Sequence, residues 1–229
     1  MLTSCSKHVV EQSALHEKPA VAPAIPETTS PKSVTGIIPE ALIQKAEKKY
    51  GVLARNRYEA FNAKLYELQN SPTEVKLEEI NNFFNSVPYG DDTEVWGRKD
   101  YWATPLEFLG RDRGDCEDYV IAKYCALRNL GIESEKLYIS YARSLRFQTV
   151  HMLLSYFETP DSVPLILDNT NYRIFPADQR DDLIHIFNFN PEALYRAGQA
   201  GENGRQMLSD GKILNRWRRL LEDARRNKL

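Results

Sequence analysis

The sequence predicts an α+β domain, with helices first, an antiparallel sheet second and an amphipathic helix to close. Three observations lead there. Apolar residues recur at three- and four-residue spacing from Ile38 to Leu130. Beyond Gly131 the period changes to strand-like alternation, which runs through Phe189. From Ile213 the helical period returns. The 229 residues leave room for one domain of substantial core plus tails. A formal net charge of −2 gives no support to nucleic-acid binding, and no stretch approaches the apolar length of a membrane span.

Residues 1–36 differ from the rest. Segments 18–26 and 28–31 make a Pro/Ala/Thr-rich tether that cannot bury a core, so a disordered tail is expected ahead of a single domain over 37–229. Within the tail, Leu2-Thr3-Ser4-Cys5 matches the end of a bacterial lipoprotein cleavage box. That reading makes Cys5 a lipid anchor if the true start lies upstream; the competing reading is a chance tetrapeptide.

The folded part begins near Ile38. Pro39 suits a first helical position, and Ala41, Leu42, Ala46 and Tyr50 form an apolar stripe. Gly51 interrupts, after which Tyr58, Phe61, Leu65 and Leu68 repeat at helical spacing. Thr73 suits the cap of a third helix with Ile80, Phe83, Phe84 and Val87 on its buried face, closed by Pro88. These aromatics read as core. Residues 89–102 form a long loop carrying two tryptophans, suited to the wall of a cleft. Its acids Asp91, Asp92 and Glu94 lack the spacing of an EF-hand loop and read as solvated, the alternative being that one of them helps a cation site. Thr104-Pro105-Leu106-Glu107 is a capping box with proline at the first helical position, opening a short helix that stops at Gly110.

Residues 136–141, 149–157 and 164–168 alternate as strands, with a turn over 159–163; 173–175 and 185–189 add shorter strands. In the last helix Ile213, Trp217, Leu220, Leu221 and Ala224 make a docking stripe. Lys212, Arg216, Arg218, Arg219, Arg225 and Arg226 fill a polar face read as solvated.

The chemistry centres on Gly114-Asp115-Cys116-Glu117-Asp118-Tyr119, where a glycine turn releases into a helix running to Leu130, with Gly131 as its left-handed stop. Asp115 is a natural N-cap, and the positive helix end beside Cys116 favours thiolate. Asp115, Glu117 and Asp118 oppose this, because three acids around a thiol disfavour a second anion. Either an imidazolium or a hard cation such as calcium resolves the conflict. The bland alternative leaves the acids to cap the helix and complement its dipole. Three cysteines (Cys5, Cys116, Cys125) support no disulfide framework, and Cys125 reads as a small buried hydrophobe.

A thiol nucleophile needs a base and a group to orient it. Of four histidines, His8 and His16 fall in the tail, and His185 reads as an ordinary, partly buried strand residue. His151 is mid-strand among apolar neighbours and demands a partner; Asp168 ends the next strand, with Asn169 and Asn171 as alternative orienting groups.

Several words now agree in order: Asp100-Tyr101-Trp102-Ala103-Thr104-Pro105, Gly114 to Tyr119, Ala122-Lys123-Tyr124, His151-Met152 and Leu167-Asp168-Asn169. Over roughly residues 40–195 they resemble the bacterial transglutaminase-like cysteine proteinases, specifically the LapG-type periplasmic adhesin proteases. The resemblance implies a papain/transglutaminase-like fold with the nucleophile helix packed on the sheet. It implies Cys116 as nucleophile, His151 as general base and acid, and Asp168 as orienting acid. It also implies calcium at Asp115, Glu117 and Asp118, which turns the conflict around the thiol toward the cation. The implied substrate is a large surface adhesin, cut near its N-terminus beside small residues and so released in biofilm dispersal. The implied partner is an inner-membrane cyclic di-GMP receptor that sequesters the protease; the implied compartment is the periplasm. Competing readings are transglutaminase or acyl transfer by the same triad, a non-catalytic binding module, and a calcium-dependent structural domain indifferent to Cys116.

Overall fold

The computed structural model describes residues 38–192 and 211–226. The tether over 1–36, with Cys5, His8 and His16, lies outside them.

Three helices begin the fold: α1 (Glu40–Tyr50), α2 (Val52–Leu68) and α3 (Thr73–Asn85). Pro39 and Pro72 occupy the N-cap positions, so Pro39 precedes the first turn and Thr73 is the first helical residue rather than the cap. Gly51 separates α1 from α2 at φ 90°, a backbone that side chains resist. The third helix stops at Asn85, with Ser86 as its C-cap, and Val87, the residue Pro88 bars from helix, already lies beyond it. Phe61, Phe83 and Phe84 pack with ring centroids 5.3–5.5 Å apart. Phe84 stacks on Phe108, which meets Tyr119 edge-on at 4.9 Å. An aromatic chain thus leads from the first helices to the helix that carries Cys116.

Residues 89–102 are less open than a plain loop, since they contain the short helix α4 (Asp92–Val95), and Tyr101 and Trp102 are buried. Helix α5 (Pro105–Arg111) opens on the expected capping box, the Thr104 side chain accepting from Glu107 N–H while the Glu107 carboxylate accepts from Thr104 N–H. It runs past Gly110 and ends at Asp112, which takes the left-handed φ of 57°. Gly110 serves close approach instead: a Cβ there would lie 2.5 Å from the Tyr50 ring. Helix α6 (Cys116–Asn129) follows, and Gly131 at φ 88° turns the chain toward the sheet as expected.

The sheet has five antiparallel strands in the order β4-β3-β2-β1-β5. These are β1 (Leu137–Ser144), β2 (Val150–Tyr156), β3 (Leu165–Leu167), β4 (Phe175–Pro176) and β5 (Leu183–Phe189). Helix α6 packs on β2, where Met152 and Leu154 join the main core. Ala142, Leu153 and Ile166 form a smaller cluster on the opposite face. Closing the described fold, α7 (Gly211–Arg225) buries Trp217, which meets Tyr124 edge-on at 5.7 Å. Its polar face is not all solvated. Arg216 pairs with Asp100 and lies over Trp102, and Arg219 lies over Tyr101. No described helix is long and apolar enough to cross a membrane.

Candidate active site

Entry to α6 depends on Gly114. Its carbonyl accepts from Gly90 N–H at 2.9 Å, and a Cβ at Gly114 would collide with the Asp118 carboxylate and sit 2.8 Å from Phe108. Asp115 holds the N-cap position but makes no capping bond with its side chain, and its Oδ1 is buried without a hydrogen-bond partner. That overturns the capping role expected of it, because the carboxylate turns inward toward other acids. The Cys116 thiol donates to Glu117 Oε2 at 3.3 Å, and the Met152 backbone N–H faces the sulfur and favours its ionised form. Burial, and then the charges of Glu117 and Asp115, push the thiol well above its ordinary value. The helix N-terminus alone does not make a thiolate here.

Beside Met152, His151 sends Nε2 to Asp168 Oδ1 at 2.8 Å, with both side chains buried. Asp168 also accepts from Thr170 N–H at 2.8 Å, Thr170 Oγ1 at 2.9 Å and Arg180 Nη2 at 2.7 Å. Burial alone would raise this carboxyl; His151, Thr170 and Arg180 outweigh it and hold Asp168 far below the usual carboxylate range. The Asp168 carbonyl accepts from Asn85 Nδ2 at 2.7 Å, which ties the end of β3 to α3. Asn169 and Asn171 do not share this role, since Asn169 Oδ1 has no hydrogen-bond partner and Asn171 accepts from Arg173 N–H. His185 is exposed rather than partly buried, and pairs with Asn188 at 2.7 Å. Cys125 packs partly buried against the core on the later turns of α6.

The acids form two overlapping groups, Asp92 with Asp115 and Asp118, and Asp92 with Asp100 and Glu117; ligand atoms within each lie within 4.8 Å of one another. Asp92 is therefore not a solvated acid. It is 3 % exposed, because Tyr101 N–H binds its Oδ2 and folds the loop inward. Asp118 accepts from Ala103 N–H at 2.8 Å. Yet Asp92 Oδ1, Asp115 Oδ1 and Asp118 Oδ2 are buried with no hydrogen-bond partner. Burial and neighbouring acids push Asp92 up to about 6 and Asp115 up to about 10, and Asp118 moves in the same direction. Oxygen-only donors, three of them orphaned, fit a hard divalent cation such as calcium.

Sequence reasoning missed Asp100 as a member of this cluster and held Asp92 only as one of three loop acids that could help a cation site; it missed Thr170, Arg180 and Asn85 as holders of Asp168. The loop Asp92 was visible, but only its fold-back on Tyr101 brings it to α6. Arg180 carried no local signal.

A family model described as "Bacterial transglutaminase-like cysteine proteinase BTLCP" matches residues 55–182, which include Cys116, His151 and Asp168. The chain belongs to this family. Three solved structures agree. Legionella pneumophila LapG is 34 % identical with a TM-score of 0.66, covering 83 % of this chain and 98 % of that one. An EGTA-treated form of the same Legionella protein gives 33 % identity, a TM-score of 0.66 and the same coverages. Its calcium-bound form gives 35 % identity and a TM-score of 0.64, over 81 % of this chain and 98 % of that one. No curated protein matches. The transglutaminase-like α+β fold and the LapG-like cysteine proteinase assignment expected from sequence are therefore established.

Proposed function

We propose that this chain is a calcium-dependent cysteine endopeptidase in which Cys116 attacks, His151 moves the proton and Asp168 orients His151. The observation that carries the reading is the buried His151–Asp168 pair on the strand packed against α6, beside Met152, whose backbone N–H faces the Cys116 sulfur. With Nε2 committed to Asp168, the other ring nitrogen of His151 is the one left to take the thiol proton. The thiolate then adds to a peptide carbonyl, and backbone N–H groups in the first turn of α6 receive the oxyanion. Next, His151 protonates the leaving amine; it then deprotonates the water that opens the thioester.

Asp115, Glu117 and Asp118 would hold calcium, joined by Asp92 and Asp100. Bound there, the ion supplies positive charge that offsets the acids beside the sulfur. Glu117 is the key residue, since it both binds the thiol and belongs to the acidic cluster. The substrate is a large surface adhesin cut near its N-terminus, which releases a biofilm. An inner-membrane cyclic di-GMP receptor controls the protease in the periplasm, where Cys5 offers a lipid anchor if a signal precedes it. Likeness to Legionella LapG supports the cysteine proteinase activity and its calcium-bound form the calcium site; the substrate, receptor and compartment follow from the family resemblance.

The test is cleavage of a purified adhesin N-terminal fragment with calcium, with chelator and with Cys116→Ala. Cleavage that needs both calcium and the thiol supports the reading. Indifference to chelator removes the metal, and transfer of an added amine in place of hydrolysis moves the activity to transglutamination.

A further inference from the structure

We propose that Arg180 is a positioning residue for the reaction, holding Asp168 aimed at His151, and that Asp182 holds Arg180 in turn. This rests on the cysteine proteinase reading of His151 and Asp168. Arg180 follows a 3-10 turn, with its backbone N–H on the Ala177 carbonyl and its own carbonyl accepting from Leu183 N–H. The side chain is 3 % exposed and forks. Nη2 reaches Asp168 Oδ2 at 2.7 Å, while Nε and Nη2 bind the two Asp182 oxygens at 2.8 and 2.9 Å. Asp182 stands outside at 48 % side-chain exposure. A line of charge thus runs from the surface carboxylate through the guanidinium and buried carboxylate to the imidazole.

Division of labour at Asp168 makes the guanidinium necessary. Its Oδ1 accepts from His151 and Thr170 N–H; its Oδ2 accepts from the Thr170 hydroxyl and Arg180. The Thr170 donors are neutral, and the charge of His151 comes and goes in turnover. From α6, Lys123 also faces Asp168 electrostatically, but it is fully buried with no hydrogen-bond partner for Nζ, and burial lowers it to about 7. Asn85 of α3 touches only the Asp168 carbonyl. Arg180 is therefore the cation at Asp168 that does not discharge at working pH. Without it, Asp168 Oδ2 keeps only the Thr170 hydroxyl, and the carboxylate is free to swing out of line with His151 Nε2.

The test uses the calcium-loaded protein with Arg180→Gln, Arg180→Lys and Asp182→Asn. The first readout is the imidazole N–H resonance of His151 in histidine-labelled protein, assigned with His151→Gln. The second is kcat and KM on the adhesin fragment. In Arg180→Gln the resonance should move upfield, with kcat falling about tenfold or more and KM nearly unchanged. Arg180→Lys, which keeps the charge, should recover much of both. An unchanged resonance and kcat in Arg180→Gln overturns the proposal; so does Arg180→Lys failing as fully as Arg180→Gln at wild-type Tm. Should Arg180→Gln not fold, Asp182→Asn decides: a shifted resonance with a several-fold lower kcat supports the role, and wild-type behaviour overturns it. The resonance can be read even if the fragment is not cleaved, so failure of the endopeptidase reading stays separate.

Discussion

Replacing Asp92 by Asn tests the acidic cluster without touching Cys116, His151 or Asp168. In the metal-free protein Asp92 is raised to about 6, with burial as the main cause. A group raised in the folded state stabilises below its unfolded value near pH 4 and loses that contribution as pH rises through about 6. The shift of roughly two pH units corresponds to about 3 kcal/mol lost by pH 8. At a few degrees per kcal/mol for a domain of this size, the chelated wild type should melt about 5–10 °C lower at pH 8 than at pH 4.5 from this group alone. In Asp92→Asn the amide oxygen can still accept from Tyr101 N–H, and the new NH2 faces the orphan oxygens of Asp115 and Asp118. Thermal melts in chelator should therefore show the variant more stable than wild type at pH 8, with a weaker dependence on pH. Calcium should raise the wild-type Tm much more than the variant's. A variant less stable than wild type in chelator at pH 8, or one that calcium stabilises equally, would refute this account of the cluster.

Four further outcomes follow from the geometry. Asp168→Asn should lower kcat by about 10³-fold or more, because the amide disturbs the His151 tautomer; steady-state cleavage with a Tm control checks it. Since Asp168 is depressed in the folded state, the stability it lends is present above its unfolded value near 4 and is lost as pH falls toward its folded value; acid-unfolding curves of wild type and variant should converge there. Gly114→Ala should cost about 1–3 kcal/mol in chemical denaturation, since the new methyl meets the Asp118 carboxylate and Phe108. Trp217→Ala should cost about 3–5 kcal/mol by emptying the seat of α7 against Tyr124, read as a lower denaturant midpoint.

Much of the molecule was legible in sequence. Period and punctuation are local: the stripe of α2, the capping box of α5, Gly131 after α6 and the alternation of β2 all follow from interactions a few residues long. The order of Cys116, His151 and Asp168 was visible for the same reason, with each residue type set in a distinctive local element. Where local reasoning failed, a distant partner had intervened. Gly110 reads as a helix stop until Tyr50 lies across it, and Asp115 reads as a cap until its carboxylate turns toward Asp92. Asp92 reads as a solvated acid until Tyr101 N–H folds the loop over it. Arg180 has no motif at all, and its meaning lies in a 2.7 Å contact with a residue twelve positions earlier. Sequence by itself determined most of the elements that form and which residues stand in local settings suited to reactive chemistry, because both are written in neighbouring residues. Tertiary structure alone decided which charges stand together and which oxygens lack a partner, because burial and through-space distance set those energies.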